Sequence, residues 1–326
     1  MRVTHAKKDG SLPNPGRSLL EVELDEPIRY GKHDPVEKWL NSLLCLDSTQ
    51  QVEQLHWGFP HPSQCELYFV NRDTLFSYHP SSEQFLGKLM NIFVSSHYKN
   101  TPNDLQMLSD CPAHQIFVLL GPLEQATQYG KLPDILCAIQ VGFEGQISQK
   151  SIQEQLKRGL KPSGDLIPWT VSEQYQDDNF GQLNGIRIVR IATHPSAQSR
   201  GYGSRALELL IKYYEGQLAD ADQKLTDETQ QEAPEAEEHK SSKGIQDEKL
   251  KPKKHLKPIL QKLSERKPAP VHYIGTSFGV TKELFQFWRK NKLEPIYIRQ
   301  TANDLTGEHT CLMIRPLNHL QEVSLP

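Results

Sequence analysis

The chain has almost no net charge to work with: 37 lysines and arginines against 40 aspartates and glutamates leave −3 at neutral pH. A bulk positive field for gripping nucleic acid through its phosphates is therefore excluded, and any RNA or DNA contact must be local or supplied by another chain. Cysteine is scarce as well. The five, Cys45, Cys65, Cys111, Cys137 and Cys311, are odd in number, widely spaced and free of any C-x-x-C pair. That pattern argues against a disulfide framework and against a zinc knuckle, so no metal site is expected and a reducing compartment fits best. No apolar run approaches the roughly 18 to 20 residues of a membrane span, and Met1–Gly10 lacks the apolar core of a signal peptide. The expectation is a soluble intracellular protein with no membrane partner. Hydrophobic residues make up only 37% of 326, so part of the chain should be linker rather than core.

What is present reads as a mixed α/β sheet with one long interruption. Residues 1–56 combine an alternating stretch, Leu19 to Leu24, with a short helix near Val36 to Leu46 that carries Trp39, Leu40, Leu43 and Leu44 at helical spacing. This has the character of a connector. A first domain part over 57–216 opens with the strand Glu66 to Val70. Ser81 to Gln84 then forms a capping-box signature ahead of the helical face Phe85, Leu86, Leu89, Met90 and Phe93. A second helix starts at Thr101 with Pro102 in its first position. The runs Ile116 to Leu120 and Ile135 to Val141 read as a hairpin, and Ser148 to Arg158 as a helix stopped by Gly159. Gly185 to Ala192 is a buried strand, His194 to Arg200 a loop, and Ser204 to Tyr214 an amphipathic helix. From 217 to 269 the composition turns acidic and then lysine-rich, a solvated insertion too polar to offset its chain entropy. The second domain part, 270–317, adds a strand from Val271, the helix Thr281 to Asn291, and the strands Pro295 to Arg299 and Thr310 to Arg315, before a tail over 318–326.

The segment Gln198-Ser199-Arg200-Gly201-Tyr202-Gly203-Ser204 carries the chemistry. Glycines at 201 and 203 let backbone approach an anion, and the N–H groups opening the next helix face it with the positive end of the helix dipole behind them. Three readings compete. A dinucleotide fingerprint formally fits Gly201-x-Gly203-x-x-Ala206, yet His194 to Arg200 intervene after the strand and the acidic residues about 20 positions on, Asp220 or Asp222, lie in the polar insertion. A plain glycine turn before a helix is the second. The third is the coenzyme A loop of GNAT acyltransferases, which the pattern Q/R-x-x-G-x-G/A between such elements resembles. In that superfamily the preceding strand splays from its neighbour, which would free the backbone of Ile191, Ala192 and Thr193 to hold pantetheine and polarise the thioester.

Longer polar strings narrow the likeness. Asn71-Arg72-Asp73-Thr74-Leu75-Phe76, the run from Ser96 to Asp110, Ser163 to Val171, Gly201 to Leu207 and Arg299 to His309 resemble the eukaryotic RNA cytidine acetyltransferase family over about Arg17 to Leu317. The resemblance implies a GNAT fold, mostly antiparallel and flanked by helices, and acetyl transfer from acetyl-CoA to the N4 amine of cytidine in small-subunit rRNA and tRNA. It also implies nuclear and nucleolar residence and partners such as ribosome-assembly factors and a tRNA-binding adaptor. Full-length members carry a helicase-like ATPase and a C-terminal RNA-binding part. No G-x-x-x-x-G-K-[ST] run occurs here, so the chain looks like a fragment and ATP is not expected to bind it.

Roles follow with their plainer alternatives. By the resemblance Ile191, Ala192, Thr193, Gln198, Ser199, Arg200, Gly201, Tyr202, Gly203 and Ser204 bind acetyl-CoA, and Arg289 and Lys290 reach a coenzyme phosphate; the plain reading of that pair is a solvated helix end. A base that relieves the cytosine amine of its proton would accelerate attack by about 10²- to 10⁴-fold. His114 and His97 are the candidates, His114 first, each against a purely structural histidine. Lys99 to Asp104 and Gln300 to Glu308 either contact substrate or brace their own loops. No acid for the departing thiolate is evident, since Phe285, Phe287 and Trp288 carry no hydroxyl. Two other functions stay open: protein or small-amine N-acetylation, and a catalytically silent acetyl-CoA-binding assembly module.

Overall fold

The computed structural model describes residues 28–46, 55–56, 58–96, 101–123, 132–159, 164–218, 226–227, 257–304 and 306–317. It divides into a unit over Met1–Asp47 and a unit over Ser48–Pro326. In the first, helix α1 (Pro35–Leu43) starts where the Asp34 side chain accepts from Val36 and Glu37 N–H, at 2.7 and 3.3 Å. The alternating stretch Leu19 to Leu24 lies outside the described residues.

The second unit is built on eight strands: β1 (Glu66–Val70), β2 (His114–Leu120), β3 (Ile135–Gly145), β4 (Asn184–Thr193), β5 (Leu260–Lys262), β6 (Tyr273–Gly279), β7 (Glu294–Ile298) and β8 (Thr310–Pro316). Their order is β5-β1-β2-β3-β4-β6-β8-β7, antiparallel throughout except for β4 and β6. Around them run α2 (Arg72–Leu75), α3 (Pro80–Ser96), α4 (Pro102–Asp110), α5 (Gln149–Arg158), α6 (Leu166–Tyr175), α7 (Tyr202–Tyr214) and α8 (Lys282–Lys290). β3 is almost wholly buried, with Cys137, Ile139 and Val141 on an apolar face and Gln140 and Glu144 on the other, as a central strand covered by helices can be. Against it and β2 packs α7, whose Tyr213 and Tyr214 rings meet Phe117 edge-on at 5.9 and 6.3 Å.

The β4–β6 junction positions the site. Their parallel pairing runs from Gly185↔Tyr273 to Ile188↔Thr276 and stops. Beyond it β4 stays with β3, from Gln140↔Arg190 to Cys137↔Thr193, while β6 stays with β8. The parting coincides with a bulge, because Val141 pairs with Ile188 and Gln140 with Arg190, leaving Val189 as an extra residue that bends β4 away.

The fold class expected from the sequence is the one observed, with local differences. α3 begins at Pro80, before Ser81, and Ser81 donates its N–H to His79 Nδ1 at 3.3 Å instead of capping the helix; proline is preorganised for a first helical position. α4 does start at Pro102, with Thr101 N–H donating to Asp104 at 2.7 Å. Gly159 ends α5 in the left-handed region at φ 62°. α6 was not legible as a helix: Ile167 through Ser172 are all buried, so no polar face marks its period. The polar run read as an insertion through residue 269 returns to the sheet earlier, where Leu260–Lys262 pairs with β1, Leu263 is buried, and Arg266 lies 3.6 Å over the Phe69 ring.

Candidate functional site

The loop after β4 is shaped by three local choices. His194 accepts from Ser196 N–H at 3.3 Å, which turns the chain into a short 3-10 turn over Pro195–Ala197. Ser199 and Gly201 then take positive φ, 60° and 89°. At Gly201 that conformation is what glycine supplies without strain. It makes Gly201 the residue before α7, and no side chain caps the helix, so the first-turn N–H groups face outward unclaimed by a side chain. Gly203 is helical. A Cβ built there would sit 3.5 Å from the Phe287 ring and from Thr193 Oγ1, an ordinary contact.

The predicted coenzyme residues fall into two groups. Gln198, Ser199, Arg200, Gly201, Gly203 and Ser204 form the exposed or half-exposed lip of the loop, and Ile191, Ala192 and Thr193 form the β4 edge that β6 has left. The Tyr202 side chain belongs to neither: it is 1% exposed and its hydroxyl donates to Pro60 C=O at 2.7 Å, so only its backbone faces the loop. Arg289 and Lys290 separate in the same way. Arg289 is ion-paired with Glu294, whereas Lys290 lines a groove of about 640 Å³ with Gly201, Ser204, Asn291 and Lys292. Asn291 Nδ2 lies 3.4 Å from Ser204 Oγ, which ties the end of α8 to the start of α7.

Five basic side chains, Arg205, Lys212, Lys290, Lys292 and Arg315, line that groove with two acidic ones, Glu208 and Glu215. Lys212 and Arg205 hold Glu208 from 2.7 and 3.1 Å, and the bond from Lys212 is the main reason its carboxyl stays below the usual range. No carboxylate of a described residue pairs with Lys290 or Lys292. The groove therefore has a surplus of positive charge beside the open helix terminus, a setting for a polyanion.

The cysteine nearest the β4 edge is Cys137, the register partner of Thr193. Burial pushes its thiol up to about 12. It is protonated at neutral pH and inert as a nucleophile.

His114 opens β2 on the sheet face that also carries Gln140 and Arg187, with its ring over Gly142, where a Cβ would come within 3.1 Å. Gln140 Nε2 lies 2.9 Å from His114 Nδ1, so the amide donates and the neutral ring carries its proton on Nε2. Burial, then Arg187 and Arg72, hold its pKa below the ordinary histidine value, which keeps it neutral at pH 7. For Nε2 to act as a base the Gln140 amide must turn its oxygen toward Nδ1. Gly142 pairs with Arg187, four residues before Ile191 on β4, roughly 13 Å at strand rise. His114 thus lies up the strand from the coenzyme edge. His97, the other candidate, lies outside the described residues.

Where they are described the two polar strings make internal bonds, while Lys99, Asn100 and Leu305 lie outside the described residues. Asp104 accepts from Thr101 and pairs with Arg190 at 2.6 Å, and although burial opposes ionisation, these partners hold its carboxyl below the usual range. In the β7–β8 connection Asn303 N–H donates to Glu308 C=O at 2.9 Å and Gly307 N–H to Asn303 C=O at 2.8 Å.

The GNAT acetyltransferase 2 family model matches residues 88–318. A relative from Achlya ambisexualis, "RNA cytidine acetyltransferase", is 54% identical over 303 residues, covering 93% of this chain and 81% of its own. The chain belongs to the RNA cytidine acetyltransferase family. A namesake from Dictyostelium discoideum is 54% identical over 94% of this chain, which spans only 30% of that relative's length. Residues 4–47, taken above as a connector, match the model of the helicase domain of RNA cytidine acetyltransferase NAT10/TcmA. Among solved structures, Arabidopsis thaliana NAA60 in complex with acetyl-CoA covers 78% of this chain and 99% of its own, at 7% identity and a TM-score of 0.39.

Within this family member, sequence reasoning did not find Pro62, Ser63, Asn291 and Lys292 on the groove wall. Asn291 and Lys292 could have been found, since they directly follow Lys290. Pro62 and Ser63 lie about 140 positions from the loop they face, and no local pattern announces them.

Proposed function

We propose that the unit over Ser48–Pro326 is an acetyl-transfer domain that takes acetyl-CoA as co-substrate and delivers the acetyl group to the N4 amine of cytidine in RNA. The observation that carries the reading is the parting of β4 from β6 after Ile188↔Thr276, directly beside the glycine-opened start of α7. The freed β4 edge at Ile191 to Thr193 offers backbone groups to the pantetheine arm, and preorganised N–H donors there would stabilise an oxyanion as the carbonyl is attacked. The first turn of α7 and Lys290 take the phosphates. We read the attack as direct: burial pushes the Cys137 thiol up to about 12, so this cysteine does not stand ready beside the freed edge as a thiolate. Acceptor choice rests on the relatives, which are named for cytidine in RNA and are 54% identical to this chain. The rRNA and tRNA substrates, the assembly factors and adaptor, and the nucleolar location belong to the same reading.

The test is incubation of the purified chain with labelled acetyl-CoA and a mixture of small-subunit rRNA, tRNA and peptides, followed by nuclease digestion. Label is expected in acetylated cytidine. Label on peptide alone would overturn the RNA assignment.

A further inference from the structure

Two contacts, a close approach and a shared groove join the loop after β4 to a segment just before β1. The Arg200 guanidinium lies 3.9 Å over the Phe59 ring. Tyr202 Oη donates to Pro60 C=O at 2.7 Å. A Cβ at Gly201 would sit 3.6 Å from Pro62 Cγ. Pro62 and Ser63 line the basic groove together with Gly201, Ser204 and Lys290. The segment is itself stiff: two prolines restrict it, and His61 caps the 3-10 turn Pro62–Gln64, its Nδ1 lying 2.8 Å from Ser63 Oγ. All of it precedes residue 88, where the GNAT family match begins.

We propose that residues 58–63 form the phosphate-side wall of the coenzyme site, with Phe59 as the positioning residue that holds Arg200 flat for a coenzyme phosphate. The proposal rests on the acetyl-CoA reading given above. An exposed arginine loses considerable rotamer freedom when it engages a ligand. Stacking removes part of that freedom beforehand and leaves the N–H edge of the guanidinium open for paired bonds to phosphate oxygens. No carboxylate of a described residue competes for Arg200. Phe59 is 45% exposed, so the ring and the guanidinium stacked on it lie at the surface, where a ligand can reach them. The ligand chemistry is that of a nucleotide carrying several phosphates.

Calorimetric titration of the 326-residue chain with acetyl-CoA, adenosine 3′,5′-bisphosphate and acetyl-pantetheine tests this. Phe59→Ala is expected to weaken the first two by about fivefold, the scale of one exposed cation–π contact, and to leave acetyl-pantetheine unchanged. Phe59→Leu, which keeps apolar bulk without a ring face, should do the same and guards against misfolding of the alanine variant. Phe59→Trp should restore affinity. In an Arg200→Ala background Phe59→Ala should add no further loss. Undiminished acetyl-CoA affinity in both Phe59→Ala and Phe59→Leu, or an equal loss with Arg200 already removed, would overturn the proposal. Failure of the unmodified chain to bind acetyl-CoA would instead overturn the coenzyme reading on which it stands.

Discussion

Gly203→Glu should cost the protein its coenzyme, with affinity for acetyl-CoA falling by at least about 100-fold, while the fold survives. The position is forgiving at Cβ, which would make only ordinary contacts at 3.5 Å with Phe287 and Thr193. It is also forgiving electrostatically for the helix, because a carboxylate in the first turn of α7 favours the helix dipole. The same carboxylate is ruinous for an anionic ligand. It occupies the space where a phosphate must approach and replaces an attractive partial charge by a like charge, a juxtaposition worth several kcal/mol, of which about 2.7 corresponds to 100-fold. The checks are a calorimetric titration and a melting curve on the same sample. An unchanged melting temperature with retained affinity would mean that the phosphates do not bind at this helix terminus.

The second large effect is on stability. Gly185→Ala is expected to destabilise the fold by about 2 to 3 kcal/mol or more, lowering the melting temperature by roughly 5 to 10 °C for a domain of this size. Gly185 pairs with Tyr273 where β4 and β6 run together, and a Cβ there would lie 2.1 Å from the tyrosine ring. The ring cannot retreat: it is 2% exposed and packs on Phe180 at a centroid distance of 5.2 Å. Relief must come from pushing the two strands apart at the root of their divergence, so coenzyme affinity should fall together with the melting temperature. Thermal denaturation followed by circular dichroism decides, and an unchanged midpoint would contradict the packing of Tyr273 against the β4 backbone.

The contrast between these two glycines shows what could be read from sequence. Gly201 and Gly203 stand in a short pattern between a strand and an amphipathic helix, and local spacing conveys both the turn and the open helix terminus. Gly185 is needed because a tyrosine 88 positions later lies across it, and no local pattern encodes a partner so distant. The splay of β4 came from the family resemblance; its physical cause, the bulge at Val189, leaves no mark in a run of isoleucines and valines. α6 escaped because burial on all sides erases its period. β5 escaped because Leu260 and Leu263 are two apolar anchors in a lysine-rich stretch. Among the candidate site residues the loop was legible and its surroundings were not. The sequence could not divide Arg289 from Lys290, because the carboxylate that claims Arg289 comes from Glu294 at the start of β7. Nor could it show that Asp104 is held by Arg190, which ties α4 to β4.

The central claim is that one ligand is held at once by the freed edge of β4 and by the open terminus of α7. It is tested most directly by following backbone amide resonances of the chain during titration with coenzyme A. The account predicts that Ile191, Ala192 and Thr193 shift together with Tyr202, Gly203 and Ser204, saturating with a single dissociation constant. Binding that leaves either group unmoved, or that moves neither, would contradict it.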